Sequence, residues 1–149
     1  MATCDNEDHL PRMVYDTAIM LQGRADRILR PFDLTLEQLH PLKLLTLHGG
    51  RVGQKDLCGL AGKTPANMTR IIDRLAKKGL VERVPDPDDR RAYIIVITEA
   101  GEELVDRVVQ VFESYTEAIM AGIGGDEEEA CRLVLRRLQE NVNNLEIEE

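Results

Sequence analysis

Apolar residues in residues 8–30 recur at three- and four-residue spacing: Leu10, Met13, Val14, Met20, Leu21, Ala25, Ile28 and Leu29 share one face. That period predicts an amphipathic helix. Pro11 falls in its first turn, where a missing N–H is harmless, and Pro31 ends it. A second helix begins at Thr35, with Gln38 three residues on completing a capping box. Leu36, Leu39, Leu42 and Leu45 form its core face, Pro41 predicts a kink inside it, and Gly49-Gly50 closes it. A short helix follows over 54–60, and Gly62 makes a turn. Thr64 then caps another helix, with Pro65 at its first position. This helix runs to Lys78, where Gly79 supplies the left-handed stop. Residues 80–84 and 92–97 read as strands joined by a Pro- and Asp-rich connection. Thr98 caps a long helix to about residue 121. Gly122 to Gly125 break the pattern, and Asp126 with Glu129 reads as the capping box of a last helix reaching about residue 145.

Four helices, a hairpin and two helices make a mainly α, α+β chain. Two short helices joined by a glycine-containing turn and followed by a two-stranded hairpin form a winged helix-turn-helix. The expected organisation is one domain over 1–149. Residues 35–97 form the winged lobe, and residues 8–30 and 98–145 form long flanking helices. Those flanking helices are too long and too apolar on one side for so small a core. A second copy of the chain is the economical cover, which makes them dimerisation helices.

On the helix over 64–78, Met68, Ile71, Ile72 and Leu75 fall within one core-facing sector. The opposite side holds Ala66, Arg70, Asp73 and Lys77, flanked by Asn67, Thr69 and Arg74. A helix that enters a major groove needs small residues near its start, amides or guanidinium groups for base edges, and hydroxyls for phosphates. Ala66, Asn67, Arg70 and Thr69 supply these, and free backbone N–H groups near Thr64 suit a phosphate. The plain alternative is an ordinary amphipathic surface helix. At the hairpin tip, Asp88-Asp89-Arg90-Arg91 sets two guanidinium groups beside carboxylates. Arginine is favoured in a narrow minor groove, and a neighbouring aspartate can hold it in position. The plain alternative there is a solvated turn with local ion pairing.

Charge sharpens the picture. The 149 residues carry a formal net charge of −8, which at first opposes nucleic-acid binding. Residues 51–91, however, hold ten Lys and Arg against six acids, a net of +4, and the remainder nine bases against 21 acids, or −12. Attraction to phosphates follows local potential, so a basic middle between acidic ends is compatible with DNA. Apolar content of 43% suffices for a core, but aromatics are only 3% and Trp is absent, so the core must be aliphatic. No apolar run approaches the roughly 20 residues that cross a bilayer, and the acidic first residues lack a secretory pattern, so a cytoplasmic location is expected. Cys4, Cys58 and Cys131 form no paired motif, which predicts reduced thiols and no structural metal. His9, His40 and His48 have no nucleophile or metal spacing, and Glu127-Glu128-Glu129 reads as a helix start. The chain is not expected to be an enzyme or to need a cofactor.

The run LAKKGLVERVPDPDDRRAYIIVITEAG closely resembles the wing signature of the multiple-antibiotic-resistance regulator (MarR) family. The matching residues are Leu75, Lys78, Gly79, Leu80 and Val81, then Asp89 and Arg91, then Ile97, Thr98 and Gly101. QKDLCGLAGKTPANMTRIIDRL resembles that family's helix-turn-helix. The resemblance implies a homodimeric winged-helix transcription regulator, commonly a repressor that small anionic or phenolic molecules release. It implies major-groove roles for Ala66, Asn67, Thr69, Arg70 and Arg74, with Asp89 and Arg91 as a structural pair and minor-groove arginine; Thr64, at the helix start, and Arg90, at the tip, join the expected DNA contacts from the residues themselves. It also implies an effector pocket between the dimer helices and the winged lobe, where Met20, Arg24, His40 and Leu44 are the candidates; the plainer reading of His40 is a surface or capping histidine. Cys58, where the family often has Ala, and Pro41 depart from the pattern. Two other readings stay open. One is a thiol-based redox sensor, although the first helix has no Cys. The other is a winged helix used only for protein contacts, which would have no need of arginines at the wing tip.

Overall fold

The computed structural model describes residues 9–145. Six helices are present: α1 (Leu10–Leu29), α2 (Leu36–Leu47), α3 (Gln54–Ala61), α4 (Pro65–Lys77), α5 (Glu99–Met120) and α6 (Gly125–Asn143). Three strands accompany them, β1 (Arg51–Gly53), β2 (Val81–Pro85) and β3 (Tyr93–Ile97). Every helix expected from the apolar period exists, with ends within about two residues of those read from caps and breakers, the usual uncertainty at helix ends. Helix α2 continues through Pro41, whose ring is buried. The capping box that starts α2 is formed: Thr35 Oγ1 accepts from the Gln38 N–H at 3.3 Å, and Gln38 Oε1 accepts from the Thr35 N–H at 3.3 Å.

Two local readings need correction. The sheet has three strands in the order β1-β3-β2, all antiparallel, where only a hairpin was expected. Strand β1 pairs Arg51 with Val96 and Gly53 with Ile94. It is recruited because Gly49 and Gly50 both take positive φ and turn the chain back after α2, so that Gly50 O accepts from the Ile97 N–H at 2.9 Å. At the start of α6 the capping acid is Glu127, which accepts from the Gly124 N–H at 2.8 Å; the Asp126–Glu129 box expected there is not the one formed.

The chain divides into two compact units at residues 111 and 112. In the first, the core is aliphatic, as the scarcity of aromatics requires. Leu29, Leu42, Leu45, Leu57, Met68, Ile72, Leu75 and Ile95 are fully buried, drawn from α1, α2, α3, α4 and β3. Each such side chain stabilises the fold by about 1.5–3 kcal/mol relative to exposure. Only Ala25 and Leu29 of α1 are buried, while Leu10, Met13, Ile19 and Met20 stand in solvent. In the second unit no residue of α6 is buried, and Leu133, Val134, Val142 and Leu145 are exposed. Phe112 and Tyr115 pack edge to face with ring centres 5.7 Å apart.

The two ends of the wing meet at one point. Gly79, at φ 71°, turns the chain out of α4 in a conformation that a Cβ would penalise. Thr98 Oγ1 donates to Gly79 O at 2.6 Å and accepts from the Gly101 N–H at 3.1 Å, while the Thr98 N–H donates to Leu80 O at 3.1 Å. Gly101 lies in the first turns of α5 with its α-carbon facing the Leu80 carbonyl. A Cβ there would run into that oxygen and sit 2.7 Å from Ile97 Cγ1.

A second tie joins the end of α4 to the elbow between α1 and α2. Lys78 Nζ donates to the Asp33 carbonyl, lies 3.2 Å from Asp33 Oδ2 and donates to Gln38 Oε1 at 3.3 Å. Asp33 is the one non-glycine residue with positive φ among the described residues, and Gln38 is a buried polar side chain. Asp26 of α1 also accepts from the Leu36 N–H at 2.6 Å, at the start of α2.

Gly101→Ala tests the meeting point at the base of the wing. Helix propensity alone would favour Ala by ~1 kcal/mol. The clash is with backbone that cannot swing aside, so a net loss of about 1–3 kcal/mol is expected. Thermal unfolding should show a fall of several degrees; an unchanged or higher midpoint would show that α5 does not rest on Leu80 as described.

Candidate nucleic-acid interface

Helices α3 and α4, joined through Gly62, Lys63 and Thr64, form the helix-turn-helix. Gly62 ends α3 in the left-handed conformation. Thr64 Oγ1 accepts from the Asn67 N–H at 3.3 Å, the cap that its type and position predict. Met68, Ile71, Ile72 and Leu75 are buried, and Ala66, Arg70, Asp73, Arg74 and Lys77 are exposed. The helix therefore shows solvent the side that the apolar spacing indicates. Lys63 pairs with Glu37 at 3.4 Å, which fixes the turn to the start of α2.

The hydroxyl of Thr69 is not free. It donates to Pro65 O at 2.9 Å and accepts from Gln54 Nε2 at 3.1 Å. Gln54, the first residue of α3, thus braces α4, and its Oε1 is buried without a partner. Asn67 is half-buried, and its Oδ1 accepts from an Arg70 guanidinium N–H. Asn67 and Arg70 present themselves as a linked pair on the outer side of α4, where an amide and a guanidinium can meet base edges together. Arg74 has no ion pair among the described residues.

The hairpin tip is closed by its own aspartates. The Asp86 N–H donates to Ala92 O at 3.0 Å, and the Ala92 N–H to Asp89 O at 3.0 Å. Asp86 Oδ1 accepts from the Asp88 N–H at 2.9 Å, and Asp89 Oδ1 accepts from the Arg91 N–H at 2.9 Å. These are two successive Asx turns. The pairing of Asp89 with Arg91 is therefore real but differs from the one expected. The carboxylate orders the backbone of Arg91 and leaves the guanidinium alone. Arg90 and Arg91 are exposed and carry no ion pair among the described residues. The tip thus offers two uncommitted cations on a locked turn.

Below the tip the sequence reading missed a contact. Arg83 Nη1 of β2 lies 3.0 Å from Asp73 Oδ1 of α4, and its guanidinium sits over the Tyr93 ring of β3, 5.7 Å from the ring centre. The signal was present in the alternation of VERV. Val81 points into the core, so Arg83, two residues on, shares its side of the sheet.

Of the candidate effector residues, Met20 and Arg24 of α1 and His40 of α2 are exposed, and Leu44 is half-buried. Partial burial of the His40 ring, and then the ammonium groups of Lys63 and Lys43, lower its pKa below the usual imidazole range. At neutral pH it is a neutral ring and a poor counter-ion. Cys58 is buried, and burial raises its thiol pKa. Cys131 is exposed on α6, and Cys4 lies outside the described residues. No group of three or more His, Cys, Asp or Glu able to hold a metal occurs among the described residues. A separate open surface hollow is lined by His48, Arg51, Val52, Lys55, Asp56 and Leu60.

Comparison with known proteins places this geometry. Residues 34–93, the winged lobe, match the sequence model of the MarR family. The transcriptional regulator YdgJ of Bacillus subtilis is 31% identical over 107 residues, 70% of this chain, which spans 65% of that protein. Among solved structures, AbsC of Streptomyces coelicolor, a MarR-family transcriptional regulator, superposes with a TM-score of 0.86 at 22% identity, over 97% of this chain and 99% of its own. The Staphylococcus aureus MepR–DNA complex gives a TM-score of 0.82 at 24% identity, over 93% of this chain and 99% of its own. The transcriptional repressor NicR of Pseudomonas putida is 31% identical over 138 residues, covering 91% of this chain and 84% of NicR. With a relative matched nearly end to end and the same winged fold, this chain belongs to the MarR family of helix-turn-helix transcriptional regulators.

Proposed function

We propose that this regulator is a DNA-binding repressor that acts as a homodimer. In this reading α4 enters a major groove with Ala66, Asn67, Arg70 and Arg74, and the wing tip carries Arg91, with Arg90 beside it, into the adjacent minor groove. Thr64 holds the start of α4, and Thr69 acts from within the lobe, because its hydroxyl is already bonded to Gln54 and Pro65. The observation that carries this reading is the tip itself, where Asp86 and Asp89 order backbone and neither Arg90 nor Arg91 has an ion pair among the described residues. A module for protein contacts alone would not require such cations. MepR has been solved with DNA, and NicR is a repressor, which supports the same roles here.

Dimerisation is supported by the exposed apolar side chains of α1 and α6. Two copies would set their α4 helices roughly 10 base pairs apart on a pseudo-palindromic site. A small anionic or phenolic effector would act between the dimer helices and the winged lobe. Met20, Arg24 and Leu44 are its candidate contacts, and Arg24 is a better counter-ion than the neutral His40. An effector shifts the equilibrium only by binding two arrangements unequally. Thiol sensing is disfavoured at Cys58, since a buried thiol with a raised pKa holds little thiolate. The organisation as one functional domain over 1–149, a cytoplasmic site of action beside the DNA, and the absence of catalysis belong to the same reading.

Arg91→Ala should weaken binding to the preferred duplex about tenfold while the dimer persists in sedimentation. Unchanged affinity would remove the wing from the interface. Log affinity should fall steeply with log salt, by about 0.9 per phosphate neutralised, and a flat response would point to a protein-contact module. Position 89 separates order from charge. Asp89→Asn keeps an acceptor for the Arg91 N–H and should retain affinity. Asp89→Ala makes the tip more cationic but unlocks it, and should bind more weakly; tighter binding by the alanine variant would mean that charge alone governs the tip.

A further inference from the structure

We propose that Arg83 is a positioning residue for DNA reading: with Asp73 and Tyr93 it sets the angle between the recognition helix and the wing. The inference rests on the reading that α4 and the wing tip occupy adjacent grooves.

Three elements converge on one guanidinium. Nη1 reaches the Asp73 carboxylate of α4 at 3.0 Å, and Cζ lies over the Tyr93 ring, 5.7 Å from its centre. In the register Arg83 faces Ile95, and Tyr93 lies two residues before Ile95, so all three share one side of the sheet. Tyr93 is the first residue of β3 and faces Pro85, where the wing leaves the sheet. The contact therefore clamps the hairpin at its neck, between the fixed base at Leu80 and the tip at Arg91. Among the described residues it is the only ion pair between α4 and a strand.

Stability does not account for this arginine. Its Nε and Nη2 are buried with no hydrogen-bond partner. Buried donors left unmade carry the full desolvation penalty. The one ion pair that it makes has a carboxylate about half exposed, and such pairs contribute little. An aliphatic side chain would fill the site at lower cost but would fix no angle. The guanidinium holds a carboxylate of the helix through Nη1 and sits over a ring of the hairpin, which defines a direction between the two. Beyond Ile94, where β1 stops pairing with β3, the wing is a two-stranded ribbon, and such ribbons twist readily. A rotation at the neck is magnified at the tip, where it decides whether Arg91 meets its groove while α4 sits in its own.

The test is a double-mutant cycle on a duplex of about 30 base pairs, long enough for two half-sites, selected from a random pool by the wild-type protein. The variants are Arg83→Met, Arg91→Ala and both together, with Asp73→Asn breaking the same contact from its exposed side in case Arg83→Met folds poorly. Arg83→Met and Asp73→Asn should each weaken binding, and Arg83→Met should add little in the Arg91→Ala background, a coupling of about tenfold. Dimethyl sulfate reports both grooves, through guanine N7 in the major and adenine N3 in the minor. The variants should lose protection at adenine N3 and keep it at guanine N7, and Arg83→Lys should recover part of it. Additive losses in the cycle, or equal loss of protection in both grooves, would overturn the positioning role while leaving the wing reading intact. If Arg91→Ala alone changes nothing, the wing reading fails and the inference goes with it.

Discussion

The placement of the wing depends on one close approach between backbones, where Gly101 of α5 meets the carbonyl of Leu80. A side chain at position 101 would separate α5 from the first residue of the hairpin. Because none is there, Thr98 comes near enough to bond Gly79 and Leu80 at once. The chain leaves α4 at Gly79, makes the hairpin and returns to within hydrogen-bond distance of where it left. A hairpin pinned at both ends has a fixed base, and only then can a contact at its neck or an Asx turn at its tip determine where an arginine lies. The signature residues Gly79, Leu80, Ile97, Thr98 and Gly101 are this junction, so that part of the signature is a statement about geometry.

Helices were legible because their signals are local. The three-and-four spacing, the Thr35 and Thr64 caps and the glycine stops at 62 and 79 act within a few residues, and all are realised. Strand β1 was not legible, because three residues carry no period and its partner lies more than forty positions away. The same limit applies at the interface. The outer side of α4 follows from its inner side, so Ala66, Arg70 and Arg74 could be placed from spacing alone. The bracing of Thr69 by Gln54 and the clamp of Arg83 on Asp73 join elements that only the fold brings together. At the tip, composition showed acids beside bases but not whether a carboxylate would take a guanidinium or a backbone N–H. Turn geometry decided for the backbone.

The acidic balance of the whole chain and the basic balance of its middle are reconciled by where the charges stand. The exposed outer side of α4 and the tip concentrate cations on the winged lobe, and the acids of the flanking segments lie elsewhere in the sequence. Attraction to phosphates follows local potential, so this distribution is compatible with a duplex approaching the winged lobe.

Lys78 gives the lobe a mechanical property. Its ammonium group holds the C-terminal end of α4 to Asp33 and to Gln38, and the same Gln38 amide oxygen accepts from the Thr35 N–H in the capping box that starts α2. Asp26 ties α1 to the same turn. The recognition helix and the elbow of the long first helix are therefore not separate hinges. A tilt of α1 on α2 would strain the contacts of Lys78 with Asp33 and Gln38, so the elbow and the end of α4 share one tie.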